Sequence, residues 1–132
     1  MQLIRPKIKH IQSTSNTWPH YFVDVKVGDV FIIFDMRRYE NNTLKLAEMA
    51  FEKDATIILF TDQWRSPIHR IAEQRFGSRI VVPSASDSAI TPLLLLVTMI
   101  STVQAITRVD TKDRIEALEE MFDHTRLFRK FT

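Results

Sequence analysis

Short apolar runs alternate along the chain with amphipathic segments, and this order predicts an α/β fold. Two runs, Val30–Phe34 and Ala55–Phe60, are rich in β-branched and aromatic residues, as is typical of parallel strands buried on both faces. Arg79–Val82 is predicted to be a third strand of this kind. Pro6–Gln12 alternates apolar and polar residues and is predicted to be a short strand with one polar face.

Helices are predicted between these strands. Asn41 or Asn42 is expected to cap the first helix, whose inner side is predicted to carry Leu44, Ala47 and Phe51. Ser66 followed by Pro67 is a strong signal for a second helix start, because Ser caps a helix well and Pro fits its first position. Ser13–His20 is predicted to be a loop anchored by a buried Trp18.

The C-terminal third is predicted to form two helices. Thr91 and Pro92 begin a long apolar helix, and a charged amphipathic helix follows at about residues 110–125, with its inner face formed by Ile115, Leu118 and Phe122. The apolar stretch Ala89–Ile106 is shorter than the ~20 residues of a membrane span and contains polar residues. We therefore expect a buried helix, in the core or at a subunit interface, and no membrane partner. The whole chain, residues 1–132, is the size of one domain, with its α/β core at about residues 6–107.

Composition removes several classes of chemistry. The chain has 132 residues, a net charge of +2 and no cysteine, which excludes disulfides, thiol catalysis and cysteine-ligated zinc and fits a cytoplasmic protein. The four histidines, at positions 10, 20, 69 and 124, lack metal-ligand spacing, so neither a metal nor a cofactor is expected. Basic residues are scattered, which argues against direct DNA contact by this segment. No Gly-rich phosphate loop, nucleophile elbow or other catalytic arrangement is present, so we expect no enzymatic activity.

The loop after the first buried strand is the main candidate site. Ligands of open parallel sheets bind beyond the carboxyl ends of the strands, and here Arg37 and Arg38 follow such an end. Guanidinium groups match phosphate or carboxylate oxygens, and a helix N-terminus follows. Alternatively, Asp35 pairs with one arginine and the other is only solvated.

Two further loops end at the same predicted edge. In the first of them, either turn formation and capping or ligand binding explains Thr61, Asp62 and Ser66. The serines of residues 83–88 offer hydroxyls to phosphate or sugar oxygens, although an ordinary polar loop ending in a helix cap explains them equally. The predicted ligand-binding residues are Asp35, Arg37, Arg38, Tyr39, Thr43, Ser84, Ser86 and Ser88.

Three segments in register resemble a known family. Gly28–Leu44, Phe60–Ile68 and the pair Asp87-Ser88 are similar to the SIS (sugar isomerase) domain of RpiR-type (MurR/RpiR) transcription regulators. The resemblance implies a three-layer, flavodoxin-like, mostly parallel sheet flanked by helices and a sugar-phosphate or related anionic sugar effector. It also implies homo-oligomers, and DNA binding only through a separate N-terminal helix-turn-helix domain.

The sequence departs from that family pattern in two ways. Family members place serines and a threonine in the loop that here contains Asp35, Arg37, Arg38, Tyr39 and Glu40, so the arginines are expected to replace hydroxyls as anion ligands, or the effector differs. The helix-turn-helix domain and the first βα unit of the SIS domain have no counterpart. We therefore expect a partial SIS domain with an exposed strand edge that favours self-association.

Other functions stay open beside effector sensing. A sugar-phosphate isomerase of the same fold needs a general base, for which Asp35, Glu40, Asp62 and Asp87 are the nearby carboxylates. A phospho-receiver would use Asp35 but lacks the expected acidic pair and lysine. A pure dimerisation module would use the apolar helix and bind no small molecule.

Overall fold

The computed structural model describes residues 5–12, 15–126 and 128, and the chain divides into two compact units. One unit is Ile11–Leu95, and the other combines Met1–His10 with Leu96–Thr132. The first unit contains helix α1 (Trp18–Phe22), strand β1 (Val30–Asp35), helix α2 (Asn41–Glu52), strand β2 (Thr56–Asp62), a 3-10 helix (Pro67–Arg70) and strand β3 (Gln74–Ser78).

The sheet is parallel, with strand order β1-β2-β3, and the α/β prediction is confirmed. The register pairs Ile33 with Leu59, and Phe60 with Phe76. All three strands therefore run in one direction, and their carboxyl ends lie along a single edge. This edge is where an open parallel sheet binds its ligands.

One face of the sheet packs against α2. Because strand side chains alternate between faces, Ile33, Ile57 and Leu59 share a side, where Ala47 and Ala50 of α2 meet them. Leu59 is completely buried, and burial of one such side chain contributes about 1.5–3 kcal/mol. This face therefore holds the hydrophobic core that fixes the sheet edge in place.

Helix α1 extends this core. Trp18, 5% exposed, donates its indole N–H to the carbonyl of Gln12 at 3.1 Å, and Phe22 stacks on Phe31 with ring centroids 5.5 Å apart. The predicted anchoring by Trp18 is confirmed. The loop predicted around it is wrong, because Ser15–Thr17 form a 3-10 helix and α1 follows directly; residues 13 and 14 lie outside the described residues.

The opposite face of the sheet carries a row of aromatic rings. Phe60 stacks on Phe34 and on Phe76, each with a centroid distance of 4.9 Å. Phe60 is fully buried, whereas Phe34 is 45% exposed. The row thus crosses all three strands and ends in a partly exposed apolar side chain.

Two predicted strands are wrong. Residues 5–12 contain no strand, and Lys7 has a φ of 61°, which lies in the left-handed region rather than the extended one. The third strand is Gln74–Ser78 instead of Arg79–Val82. Its place is set by Phe76, which continues the aromatic row, so packing rather than a continuous apolar run determines the strand.

The predicted helix starts are partly confirmed. Ser66 caps the 3-10 helix by accepting a hydrogen bond from the Ile68 backbone N–H at 3.1 Å. The predicted asparagine cap of α2 is wrong, because Glu40 holds the N-cap position without a side-chain hydrogen bond. Phe51 is 54% exposed, so its predicted inward position is wrong too: Ala50 occupies the inner stripe one residue earlier.

The C-terminal helices are α3 (Ile90–Ile106) and α4 (Arg108–Thr125). Both lie where the apolar and the charged helix were predicted, but the chain itself does not bury α3. Pro92 is the buried residue of this helix, whereas Ile90 and Leu94 are more than half exposed. Within the second unit, Thr111 is buried and shares hydrogen bonds with Thr107, and Phe122 meets Phe128 edge-on at 5.2 Å. Ile115, Leu118 and Phe122 are half-buried.

Candidate functional site

Asp62, the last residue of β2, organises the carboxyl edge of the sheet. Its carboxylate is completely buried and accepts hydrogen bonds from the Arg37 backbone N–H and the Tyr39 hydroxyl, both at 2.6 Å. It also accepts the backbone N–H groups of Trp64 at 2.9 Å and Arg65 at 3.2 Å. Hydrogen bonds to a charged acceptor are among the stronger ones in proteins. One carboxylate therefore fixes the loops after both β1 and β2.

Asp35, the last residue of β1, is the second buried carboxyl group of this edge. It is 4% exposed and accepts a hydrogen bond from the Ser66 hydroxyl. Burial raises the pKa of Asp35, while the hydrogen bonds from Ser66 and from the Glu40 backbone lower it in part. Among the described residues its side-chain partner is therefore a serine and not Arg37 or Arg38.

Arg37 connects the loop after β1 to the loop of residues 83–88. Its guanidinium group lies 3.7 Å from the Asp87 carboxylate and 4.9 Å from the ring centroid of Trp64. The side chains of this ion pair are 52% and 40% exposed. Arg38 is exposed, with a φ of 72°. The structure thus brings the predicted arginines to the carboxyl edge and places one loop of predicted serines next to them.

The remaining predicted ligands have local structural roles or none that the contacts define. Ser84 accepts a hydrogen bond from the Ser86 backbone N–H at 3.3 Å, and Ser88 accepts one from Ile90 at 3.3 Å, at the start of α3. Thr43 is half-buried in the first turn of α2. Turn formation and capping therefore account for the hydroxyls of Ser84 and Ser88.

Burial and hydrogen bonding make Tyr39 a weaker acid than an ordinary tyrosine. Burial and the hydrogen bond to Asp62 raise the pKa of the Tyr39 phenol well above its ordinary value of 10.0. The phenol therefore stays protonated at neutral pH and acts as a donor. The contact between Tyr39 and Asp62 was not visible in the sequence, where the two residues are 23 positions apart.

A cavity of about 390 Å³ lies on the other side of Asp62 and was not predicted. Arg65, His69, Arg75, Gly77 and Arg79 form much of its wall, and we call it the basic cavity. The cavity was not visible in the sequence because the third strand was predicted at Arg79–Val82, which begins five residues after the observed start. The available signal was the concentration of four arginines and a histidine between residues 65 and 79.

Metal and membrane sites find no support in the part of the chain that the structure describes. No group of three or more His, Asp or Glu side chains there is arranged to hold a metal ion. No single described helix is long and apolar enough to cross a membrane. Only the bent pair Ile90–Ile106 and Thr111–Thr125 reaches that length and composition together, which is a weak indication.

Comparison with known proteins adds to this geometry. Residues 1–107 match the SIS domain family. The fold is similar to the crystal structure of the sugar isomerase domain of the RpiR transcription factor from Sphaerobacter thermophilus, with a TM-score of 0.72 and 16% sequence identity over 86% of this chain. The chain spans 62% of the length of that structure. No curated protein sequence matches it significantly.

Proposed function

The chain belongs to the SIS domain family, and on this premise we propose that it is the effector-sensing domain of an RpiR-type transcription regulator. Its effector is a sugar phosphate or a related anionic sugar. The effector binds at the carboxyl edge of the sheet, where Arg37 and Arg38 follow β1. DNA binding belongs to a separate helix-turn-helix domain of the regulator, in the cytoplasm.

The observation that carries this proposal is the fixed loop around Arg37. Its backbone N–H is held by Asp62 at 2.6 Å, and the next residue, Arg38, is held in the left-handed region. Preorganised cations lose less conformational entropy when a ligand binds than mobile ones do. The Arg37–Asp87 ion pair is half-exposed and therefore weak, so an incoming phosphate can replace the carboxylate at small cost.

Binding is favoured over catalysis by the state of two of the four nearby carboxylates, those at the ends of β1 and β2. A general base must reach the proton that it removes. Asp35 and Asp62 are both buried and already accept hydrogen bonds from the protein, so neither is placed to meet a sugar. The hydroxyl of Tyr39 is likewise engaged.

Self-association is the second part of the proposal. The side chains of Ile90, Leu93 and Leu94 are 57–75% exposed, and Phe34 is 45% exposed on the aromatic face of the sheet. Large exposed apolar surfaces usually mark contacts between proteins. Sedimentation velocity at several protein concentrations tests this part: a single monomeric species throughout contradicts it.

A thermal-shift panel of sugar phosphates and acidic sugars tests effector binding. A ligand that binds only the folded chain stabilises it by about 2.7 kcal/mol at a hundredfold excess over its Kd. We expect a selective shift for the wild type and its loss in Arg37→Gln/Arg38→Gln. Lys45→Gln/Lys53→Gln removes two exposed cations elsewhere and should keep the shift. A panel without any shift, with well-folded protein, contradicts the proposal.

A further inference from the structure

The basic cavity combines space with positive charge that no carboxylate neutralises. Within the described residues, none of the guanidinium groups of Arg65, Arg75 and Arg79 forms an ion pair. The acidic group in the wall is Asp62, whose two oxygens already accept four hydrogen bonds. The volume of about 390 Å³ is within the usual range for small-molecule sites.

Strand β3 explains how two of these cations come together. Side chains two residues apart on a strand share a face, so Arg75 and Gly77 point to the same side, and Arg79 follows directly after the strand. A Cβ added at Gly77 would have no atom within 4 Å. The glycine therefore leaves open space between two arginines.

The other walls of the cavity also carry hydrogen-bond donors. Arg65 has a φ of 65°, an unusual conformation for a non-glycine residue, which the hydrogen bond from its N–H to Asp62 supports. Gln63 accepts the Ile80 N–H through its side-chain oxygen at 3.2 Å, which leaves its amide NH₂ as a donor. The wall thus offers donors and positive charge.

We propose that the basic cavity is a second anion site, separate from the Arg37 loop, which binds the phosphoryl group of a small ligand through Arg65, Arg75 and Arg79. Guanidinium forks bind oxyanions through paired N–H groups. A phosphoryl dianion, with three terminal oxygens and two charges, matches three guanidinium groups better than a monocarboxylate does.

His69 provides a reporter inside the cavity wall. The ring is half-buried, and its Nδ1 is buried with no hydrogen-bond partner among the described residues. Burial and the positive charges of Arg75 and Arg65 lower the pKa of His69. A dianion among these arginines cancels part of their field, so its binding must raise the pKa of this histidine.

The test is an NMR titration of the histidine ring protons with sulfate at constant ionic strength, because sulfate keeps its two charges from pH 5 to 8. His69→Gln assigns the His69 signals. We expect a saturable rise in the pKa of His69, and the ring-proton signals of the other three histidines serve as controls. Equal changes at all four histidines would show only nonspecific screening and overturn the proposal.

Two variants locate the site. Arg75→Gln/Arg79→Gln should weaken sulfate binding about tenfold or more, because hydrogen bonds to charged groups are lost. Gly77→Val adds no charge but fills the open space, and it should also weaken binding. Arg37→Gln/Arg38→Gln changes the charge equally and should leave the His69 response intact. Wild-type affinity in both cavity variants, with folding checked by circular dichroism, would overturn the proposal.

Two phosphate probes distinguish the source of the phosphoryl group. Inorganic phosphate and glucose 6-phosphate are each titrated under the same conditions, with glucose as the neutral control. Tighter binding of the ester points to a phosphorylated metabolite, and tighter binding of inorganic phosphate points to the free oxyanion. Either result supports a phosphoryl site, whereas a His69 response to neither probe contradicts it.

Discussion

Two groups of arginines flank Asp62, and they differ in what neutralises them. On one side, Arg37 lies beside the Asp87 carboxylate and over the Trp64 ring. On the other side, the arginines of the basic cavity have no ion-pair partner among the described residues. An anion at Arg37 must displace a carboxylate, whereas an anion in the cavity meets unpaired charge. The difference between the two groups of arginines follows from the carboxylates near them and not from their positions in the sequence.

The largest effect is expected from Asp62→Ala, which removes the group shared by both sides. Four donors then lose a buried charged acceptor, and we expect a loss of about 3 kcal/mol or more in the free energy of unfolding. Asp62→Asn keeps one acceptor oxygen and should lose less. Urea unfolding measures both.

A matched control for this prediction is Asp29→Ala. Asp29 is exposed and accepts one hydrogen bond, from the Lys26 backbone N–H at 2.9 Å, so its loss should cost about 0.5–1 kcal/mol. Equal costs for Asp29→Ala and Asp62→Ala would show that Asp62 is not the shared support of the two loops.

Tyr39→Phe distinguishes the Arg37 loop from the basic cavity. It removes only the hydroxyl that donates to Asp62, and we expect a cost of about 1.5 kcal/mol. Effector binding at Arg37 should weaken, because the loop after β1 loses a support, while the His69 response to sulfate should persist. Tyr21→Phe is the control, with a stability change within about 0.5 kcal/mol. A Tyr39→Phe variant that weakens only sulfate binding in the basic cavity would contradict this difference between the two sites.

Asp35→Asn tests the second buried carboxyl group through pH. A raised pKa means that the folded state binds a proton more readily than the unfolded state, so stability falls as pH rises between the ordinary value of 3.8 and the raised pKa. The asparagine oxygen can still accept from Ser66. Relative to Asp35→Asn, the wild type should therefore lose stability across this window. Urea unfolding at pH 4 to 7 checks this, and a relative gain would contradict it.

The smallest effect is expected from Arg37→Gln or Asp87→Asn. Because the pair is half-exposed, its coupling in a double-mutant cycle should be about 0.5 kcal/mol and should shrink with added salt. A coupling above about 2 kcal/mol would mean that the carboxylate is held too firmly for an effector to displace, in conflict with the proposed function.

The sequence was sufficient for the parts of the fold that bury continuous apolar runs. Strands β1 and β2 lie where Val30–Phe34 and Ala55–Phe60 predicted them, within two residues. Strand β3 was missed because the edge segment Gln74–Ser78 contains one large apolar residue, Phe76. The alternation of strands and helices was visible; an edge strand held by one ring was not.

The candidate site was predictable in position but not in its connections. The rule that ligands bind beyond the carboxyl ends of parallel strands placed Arg37 and Arg38 correctly at that edge. The junction at Asp62 depends on β1 pairing with β2, which joins residues 25 positions apart. The cavity depends on β3, whose misplacement hid it. Contacts between distant segments follow from the register, and a single sequence does not specify it.

Calorimetric titration of the best sugar phosphate from the panel into the wild-type chain tests the central claim most directly. The dephosphorylated sugar serves as the control ligand, and Arg37→Gln/Arg38→Gln and Arg75→Gln/Arg79→Gln serve as paired variants of equal charge change. We predict two binding events for the phosphorylated sugar and none for the control sugar: the event selective for one sugar is lost in the Arg37 variant and kept in the Arg75 variant, and the event in the basic cavity shows the reverse. Equal affinity of the sugar-selective event in the wild type and in Arg37→Gln/Arg38→Gln would contradict an effector site at the carboxyl end of β1.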